Sequence, residues 1–324
     1  MSNNISVATQ KMQVKKADDG NFYKFQKWIE KNWQLTAMIF LPFCFIVLFN
    51  YIPMYGIQIA FKDYKAAQGI WGSEWVGFKH FTKFFNSYLF VRVVRNTILL
   101  NIYSLAAGFP IPIILALSLN SCKNLKFKKT VQMVTYAPHF ISVVVLIGIV
   151  IQVLSPKYGI VNNVIKALGG EEILFMAEGK YFRSIYVWSG IWQNMGFSAI
   201  IYISALSSID PTLHEAAIVD GASRFKRIIY IDIPGIVPTI VILLILSAGS
   251  LMNVGFEKVL LLQNPTNTEY SEVISTLIYK QGLASAIPQY SYSTAIGIFN
   301  NVINFLLLIV VNTIAKRLGE TSLW

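Results

Sequence analysis

Six separate stretches of the chain are apolar for about 20 residues or more, and none of them contains an Asp, Glu, Lys or Arg. They run over about 36–59, 97–119, 131–154, 184–206, 237–256 and 294–314. Each matches the roughly 30 Å hydrocarbon core of a bilayer. Lipid offers the backbone no hydrogen-bond partners, so each segment must satisfy its own, as a helix does. The expected fold is all-α and integral to the membrane, with six transmembrane helices. Composition agrees, since 55% hydrophobic against 13% charged residues lies outside ordinary soluble domains.

The net charge of +11 sits in the tail and loops rather than on one folded basic face. Anionic lipid headgroups and the positive-inside rule account for it better than nucleic acid does. Residues 1–34 read as a polar tail carrying Lys11, Lys15, Lys16, Lys24, Lys27 and Lys31, ahead of a retained helix rather than a cleaved signal. The Asn4-Ile5-Ser6 sequon in it reads as coincidental. Residues 35–324 form one transmembrane domain. An even number of spans places both termini on one side, with the Lys123–Lys129 loop and the 208–236 loop. The opposite loops also carry Lys62, Lys65, Lys79 and Lys157, so charge alone leaves the orientation open.

Segment two contains Pro110 and Pro112, and segment three Pro138 beside His139; both should kink or unwind locally. His139 reads as a packing or hydrogen-bonding group. The aromatic stretch from Trp75 to Phe85 reads either as an amphipathic surface helix or as a loop packed on helix ends. Residues 155–183 read as an exposed loop. Cys44 and Cys122 give no reason to expect a disulfide.

The 208–236 loop is polar and helix-prone between two apolar segments. Asp210 is a good N-cap and Pro211 a good first helical residue, which predicts a helix over 211–219 and a break at Gly221. A second helix over 223–230 should end at Pro234. Glu215 and Asp220 offer charges to a basic partner, Ala216 and Ala217 allow close approach, and Gly221 allows a bend or a positive φ. His214-Glu215 begins like a zinc-protease helix, but Ile218 stands where the second ligand belongs.

The order Glu215-Ala216-Ala217, three residues, Gly221, nine residues, then Ile231-x-Ile233-Pro234 resembles the EAA loop of permease subunits in binding-protein-dependent ATP-binding-cassette importers. Ile233 departs from the usual leucine. Tyr51-Ile52-Pro53-Met54-Tyr55-Gly56, Tyr136-Ala137-Pro138-His139-Phe140-Ile141-Ser142, Gly255-Phe256-Glu257 and Leu323-Trp324 are similar to a maltose-related branch handling oligosaccharides cut from polysaccharides. The resemblance implies a cytoplasmic coupling loop in which Glu215, Ala216, Ala217, Asp220, Gly221, Ala222, Arg224 and Pro234 meet the ATPase. It implies a bacterial cytoplasmic membrane protein with both termini cytoplasmic. Its partners would be a second, non-identical permease, two cytoplasmic ATPase subunits and an extracytoplasmic solute-binding protein. ATP and Mg would belong to the ATPases, leaving no cofactor on this chain.

The residues themselves add to this. Ion-coupled carriers bury ionisable groups at mid-membrane, and the six segments have none beyond His139. Gly179-Lys180 is followed by Tyr181 and is no P-loop. An ion-coupled carrier and a glycolipid-processing membrane enzyme are the rival readings. The first is opposed by the missing charges, the second by acidic residues that are scattered rather than clustered. What the segments do carry is amides and indoles: Trp188, Trp192, Gln193, Asn194, Asn253, Asn300 and Asn304. Sugars offer hydroxyls to amides and C–H faces to indoles. Each amide reads either as lining a translocation cavity or as bridging two helices.

Overall fold

The computed structural model describes residues 27, 28 and 30–317. Most of the polar tail, the Asn4 sequon and Leu323-Trp324 lie outside the described residues. Contacts divide the chain into two units, Met1–Gln58 and Ile59–Trp324. The first holds most of α1 (Trp33–Phe61), whose apolar window is entirely unburied. A helix hydrophobic all round suits lipid or a partner helix rather than water.

The second unit opens on a two-residue antiparallel pair, β1 (Lys62–Asp63) with β2 (Glu74–Trp75), and a short helix, α2 (Lys79–Phe85). Phe84 of α2 is fully buried and joins Val93, Tyr292 and Ile296 in one apolar cluster. The aromatic stretch shares features of both readings: it holds a helix whose Phe84 packs inward, while Trp75, Phe78 and Phe85 stay exposed. Apart from the short helices Gly69–Gly72 and Thr268–Ser271, the remaining α-helices are α3 (Leu89–Asn120), α4 (Leu125–Tyr136), α5 (Val143–Val153), α6 (Ile160–Ala167), α7 (Phe182–Ser207), α8 (Pro211–Val219), α9 (Arg224–Gly249), α10 (Phe256–Leu262), α11 (Ile274–Gly282) and α12 (Tyr290–Arg317).

Five of the six predicted apolar segments fall on a helix or a pair of helices, and the segment 237–256 only in part. Among the described residues α1, α3, α9 and α12 are long and apolar enough to cross a membrane, and α4 with α5 makes a fifth crossing if the bent pair is one span. Helix α7 has 26 residues, ample length at 1.5 Å per residue, but Gln193, Asn194 and its serines make it less apolar. Prolines act differently in segments two and three. Pro110 takes the first position of the second half of α3, where its missing N–H costs little. Pro138 sits in a 3-10 turn, Ala137–Phe140, and the chain bends by 105° between α4 and α5.

Three sequence expectations are corrected. The apolar limits 237–256 misplace the fifth helix, which runs Arg224–Gly249; the apolar residues after Gly249 form a turn, with the Met252 N–H donating to Asn304 Oδ1 at 2.8 Å. Pro234 does not end a helix. A π turn, Ile228–Asp232, joins Arg224–Arg227 to Ile233–Gly249, so Pro234 falls in a first turn that needs no donor from it. Residues 155–183 are not a plain exposed loop. They contain α6, and buried Asn162 ties them together by donating to Leu154, Ser155 and Ile173 carbonyls while accepting from the Ile173 N–H.

Helix α7 is the centre of the unit, packing along the second half of α3 and against α4 and α9, while α12 packs on α9 and α11. Near the 208–236 loop these contacts build a cluster of Ala116, Ala199, Tyr202, Leu206 and Ile236. Towards the start of α7, Leu100, Phe182, Val187, Val259 and Val273 build another. Between them lie the cavities.

Candidate functional site: a coupling knob and a polar cavity

The 208–236 loop folds by its own capping chemistry. The Asp210 carboxylate accepts from the Thr212 N–H at 2.9 Å, and this bond holds its carboxyl below the usual carboxylate range. Helix α8 then runs to Val219. It ends in a Schellman motif: the Gly221 N–H donates to Ile218 O at 3.0 Å and the Ala222 N–H to Ala217 O at 2.8 Å. Gly221 has φ +74°, a region costly for a side chain with a Cβ. Ser223 caps the next turn through the Lys226 N–H.

The result is a protruding knob. Glu215, Ala216, Asp220, Gly221, Arg224 and Pro234 are exposed and Ala217 and Ala222 half-buried. Leu213, Ile218, Val219 and Phe225 add exposed apolar surface beside them. A latch fixes the knob to the bundle. His214 Nε2 lies 3.3 Å from Asp232 Oδ1, and Asn120 Nδ2, at the end of α3, reaches the same oxygen at 3.4 Å.

The second candidate region lies between α3, α7 and α9. A cavity of about 520 Å³ is lined by Asn101, Ser104, Pro112, Ser198, Tyr202, Ser247, Ser250 and Asn253 among others. A smaller one of about 270 Å³ adjoins it, sharing Ser104, Gly108, Pro112 and Ser198, and adds Tyr186, Gly190, Gln193, Asn194 and Lys258. Hydroxyls and amides dominate the polar groups of both, and the buried Ser104 Oγ has no hydrogen-bond partner.

The seven pathway candidates separate into three groups. Gln193 and Asn194 reach the smaller cavity, though Gln193 also donates to Ile141 O at 2.9 Å and Asn194 meets His139 Nδ1 at 3.0 Å. Asn253 reaches the larger cavity, while Asn300 and Asn304 both donate to its Oδ1 at 3.0 Å. Asn304 is thus spent on joining α12 to the turn after α9, while the buried Asn300 Oδ1 has no partner. Trp188 and Trp192 line a separate apolar groove of about 450 Å³ with Leu146, Val150 and Phe175. The Trp188 N–H donates to Tyr103 Oη at 3.0 Å.

Lys258 was missed by sequence reasoning, lying two residues past the expected limit of segment five. A signal existed, since it is the one Lys or Arg between Arg227 and Lys280. His214, Ser104 and Ser198 were also missed as structural partners, and nothing in local sequence marks the two serines.

A fold of this kind joins a protruding helical knob to a bundle enclosing a polar cavity. The family model described as "Binding-protein-dependent transport system inner membrane component" matches residues 108–320. The chain belongs to that family. This permease is 42% identical over 288 residues to the polygalacturonan/rhamnogalacturonan transport system permease protein YteP of Bacillus subtilis, covering 89% of each chain. It is 40% identical over 301 residues to protein LplB of the same organism, covering 93% of this chain and 92% of that one. Its fold matches a crystal structure of a bacterial ABC transporter involved in the import of the acidic polysaccharide alginate. There the TM-score is 0.83 at 41% identity, covering 91% of this chain and 99% of the other. The permease is thus a multi-pass membrane component of a carbohydrate ABC importer, a transporter subunit rather than an enzyme.

Proposed function

We propose that this permease is one of two non-identical membrane subunits of a bacterial importer that moves acidic, uronate-containing oligosaccharides across the cytoplasmic membrane by alternating access. One observation carries the reading: along about nine-tenths of its length the chain is 41–42% identical to two permeases named for polygalacturonan/rhamnogalacturonan and for alginate. Those polymers carry a carboxylate on many of their sugars, and fragments of them share that chemistry.

The rest of the assembly follows from the knob. A short helix with exposed Leu213, Ile218 and Phe225 beside Glu215 and Arg224 suits a groove on a soluble partner. That partner is a cytoplasmic ATPase, two copies of which hold ATP and Mg and drive the cycle, while this chain binds neither. The knob and both termini then face the cytoplasm. An extracytoplasmic solute-binding protein delivers the oligosaccharide; a solved complex of the alginate transporter with an alginate pentasaccharide-bound periplasmic protein, 41% identical to this chain, supports that partner.

The test is to purify the tagged chain from its native membranes in mild detergent and identify what co-purifies by mass spectrometry. A soluble ATPase and a second permease are expected. Recovery of the chain alone in several detergents would overturn the assembly and favour a self-sufficient carrier.

A further inference from the structure

We infer that Lys258 is the anion-selecting residue of the translocation cavity, holding a carboxylate of the passing oligosaccharide. This rests on the acidic-substrate reading above and names the residue that serves it.

Lys258 is 8% exposed and lines the smaller cavity. Among the described residues no carboxylate lies within ion-pair distance of it, although five other ion pairs occur. A buried cation without a counter-charge costs several kcal/mol, and such a group is tolerated in membrane bundles chiefly where it serves a pathway. Among the described residues no Asp or Glu lines either polar cavity. A carboxylate on the passing solute would supply the missing negative charge.

The surroundings are built to present the ammonium rather than to neutralise it. Lys258 Nζ donates to Tyr186 O at 2.8 Å and lies 4.7 Å from the centre of the Tyr186 ring. The Tyr186 hydroxyl in turn accepts from the Gly255 N–H at 3.1 Å, so one tyrosine clamps both ends of the short 255–258 segment. Two N–H bonds of the ammonium remain for a ligand. Gly190, one turn along α7 from Tyr186, leaves the ammonium its place, since a Cβ there would lie 2.9 Å from Nζ. Gln193, Asn194 and Ser104 lie in the same wall, suited to sugar hydroxyls.

The experiment uses the whole importer, with its second permease, ATPases and binding protein, reconstituted into liposomes. Initial uptake of trigalacturonate is compared with uptake of the same trisaccharide bearing one methyl-esterified carboxyl and with its fully esterified form. Since every variant is served by the same binding protein, the change in the acid-to-ester ratio isolates the permease. For Lys258→Gln the free-acid rate should fall about tenfold or more, the scale of one charged hydrogen bond. The acid-to-ester uptake ratio should fall by about the same factor, and Lys258→Arg should recover most of it.

An unchanged ratio in Lys258→Gln, with wild type carrying the free acid, overturns the assignment alone. Equal loss on acid and ester, or loss of the second permease from the purified Lys258→Gln complex, also overturns it, because Lys258 would then pair with that subunit. Wild-type liposomes that carry the ester and reject the free acid, or carry neither, overturn the acidic-substrate reading itself.

Discussion

The coupling knob and the polar cavity are built by opposite means. Every hydrogen bond that shapes the knob spans a few residues: Thr212 to Asp210, Gly221 to Ile218, Ala222 to Ala217, Lys226 to Ser223. The cavity is closed by contacts between distant parts of the chain, such as Gln193 to Ile141, Asn304 to Asn253 and Lys258 to Tyr186. A locally wound knob keeps its shape while the helices beneath it move, which suits a lever. A cavity assembled from several helices changes shape when any of them shifts, which suits a pathway with two access states. The His214–Asp232–Asn120 latch ties the knob to α3 and α9, two of the helices that line the larger cavity.

The largest expected effect breaks the knob without touching the cavity. Gly221→Val forces a β-branched residue into φ +74°, at a cost of about 1–3 kcal/mol, and should abolish substrate-stimulated ATP hydrolysis while membrane insertion stays normal. Wild-type transport in that variant would remove the knob from the coupling route. Asn253→Leu attacks the other region, removing the acceptor of Asn300 and Asn304. Leaving two amide donors unpaired should cost about 1–3 kcal/mol each, read as a lower thermal midpoint of the detergent-solubilised complex with the ATPase still bound.

His214→Ala tests the seam. Basal ATPase should persist and the stimulation by loaded binding protein should drop severalfold; unchanged stimulation would make the latch a mere packing contact. The smallest effect concerns Asp210. Its carboxyl is held low by the Thr212 N–H, so the folded form is favoured above the unfolded carboxylate value and loses that preference only as pH falls through the lower folded value. Stimulated ATPase should therefore not respond to this group between pH 8 and about pH 5, and Asp210→Asn, which keeps a capping oxygen, should leave the rate unchanged across that window. A fall in the variant at neutral pH would show that the charge itself contacts the partner.

Much of the knob was legible in the sequence because its determinants are local. Asp210, Pro211 and Gly221 fix a cap, a first turn and a left-handed stop by rules acting within four residues, and the bounds of α8 agree with them. Pro234 misled because the same residue that ends a helix is harmless two positions into the next one, and the π turn placing it there carries no sequence mark. The amides of Asn300 and Asn304 were visible as polar groups sharing one face of a helix, but their partner, Asn253, lies about 50 residues away and sits on a turn that looked like helix.

Sequence alone thus determined the membrane, the helical class and the form of the knob, because lipid leaves the backbone few choices and caps act at short range. Only the tertiary structure decided which polar groups are consumed by packing and which face the cavity. That depends on how α3, α7, α9 and α12 cross, and it is this crossing that sets Lys258 beside Tyr186 and Gly190 without a carboxylate.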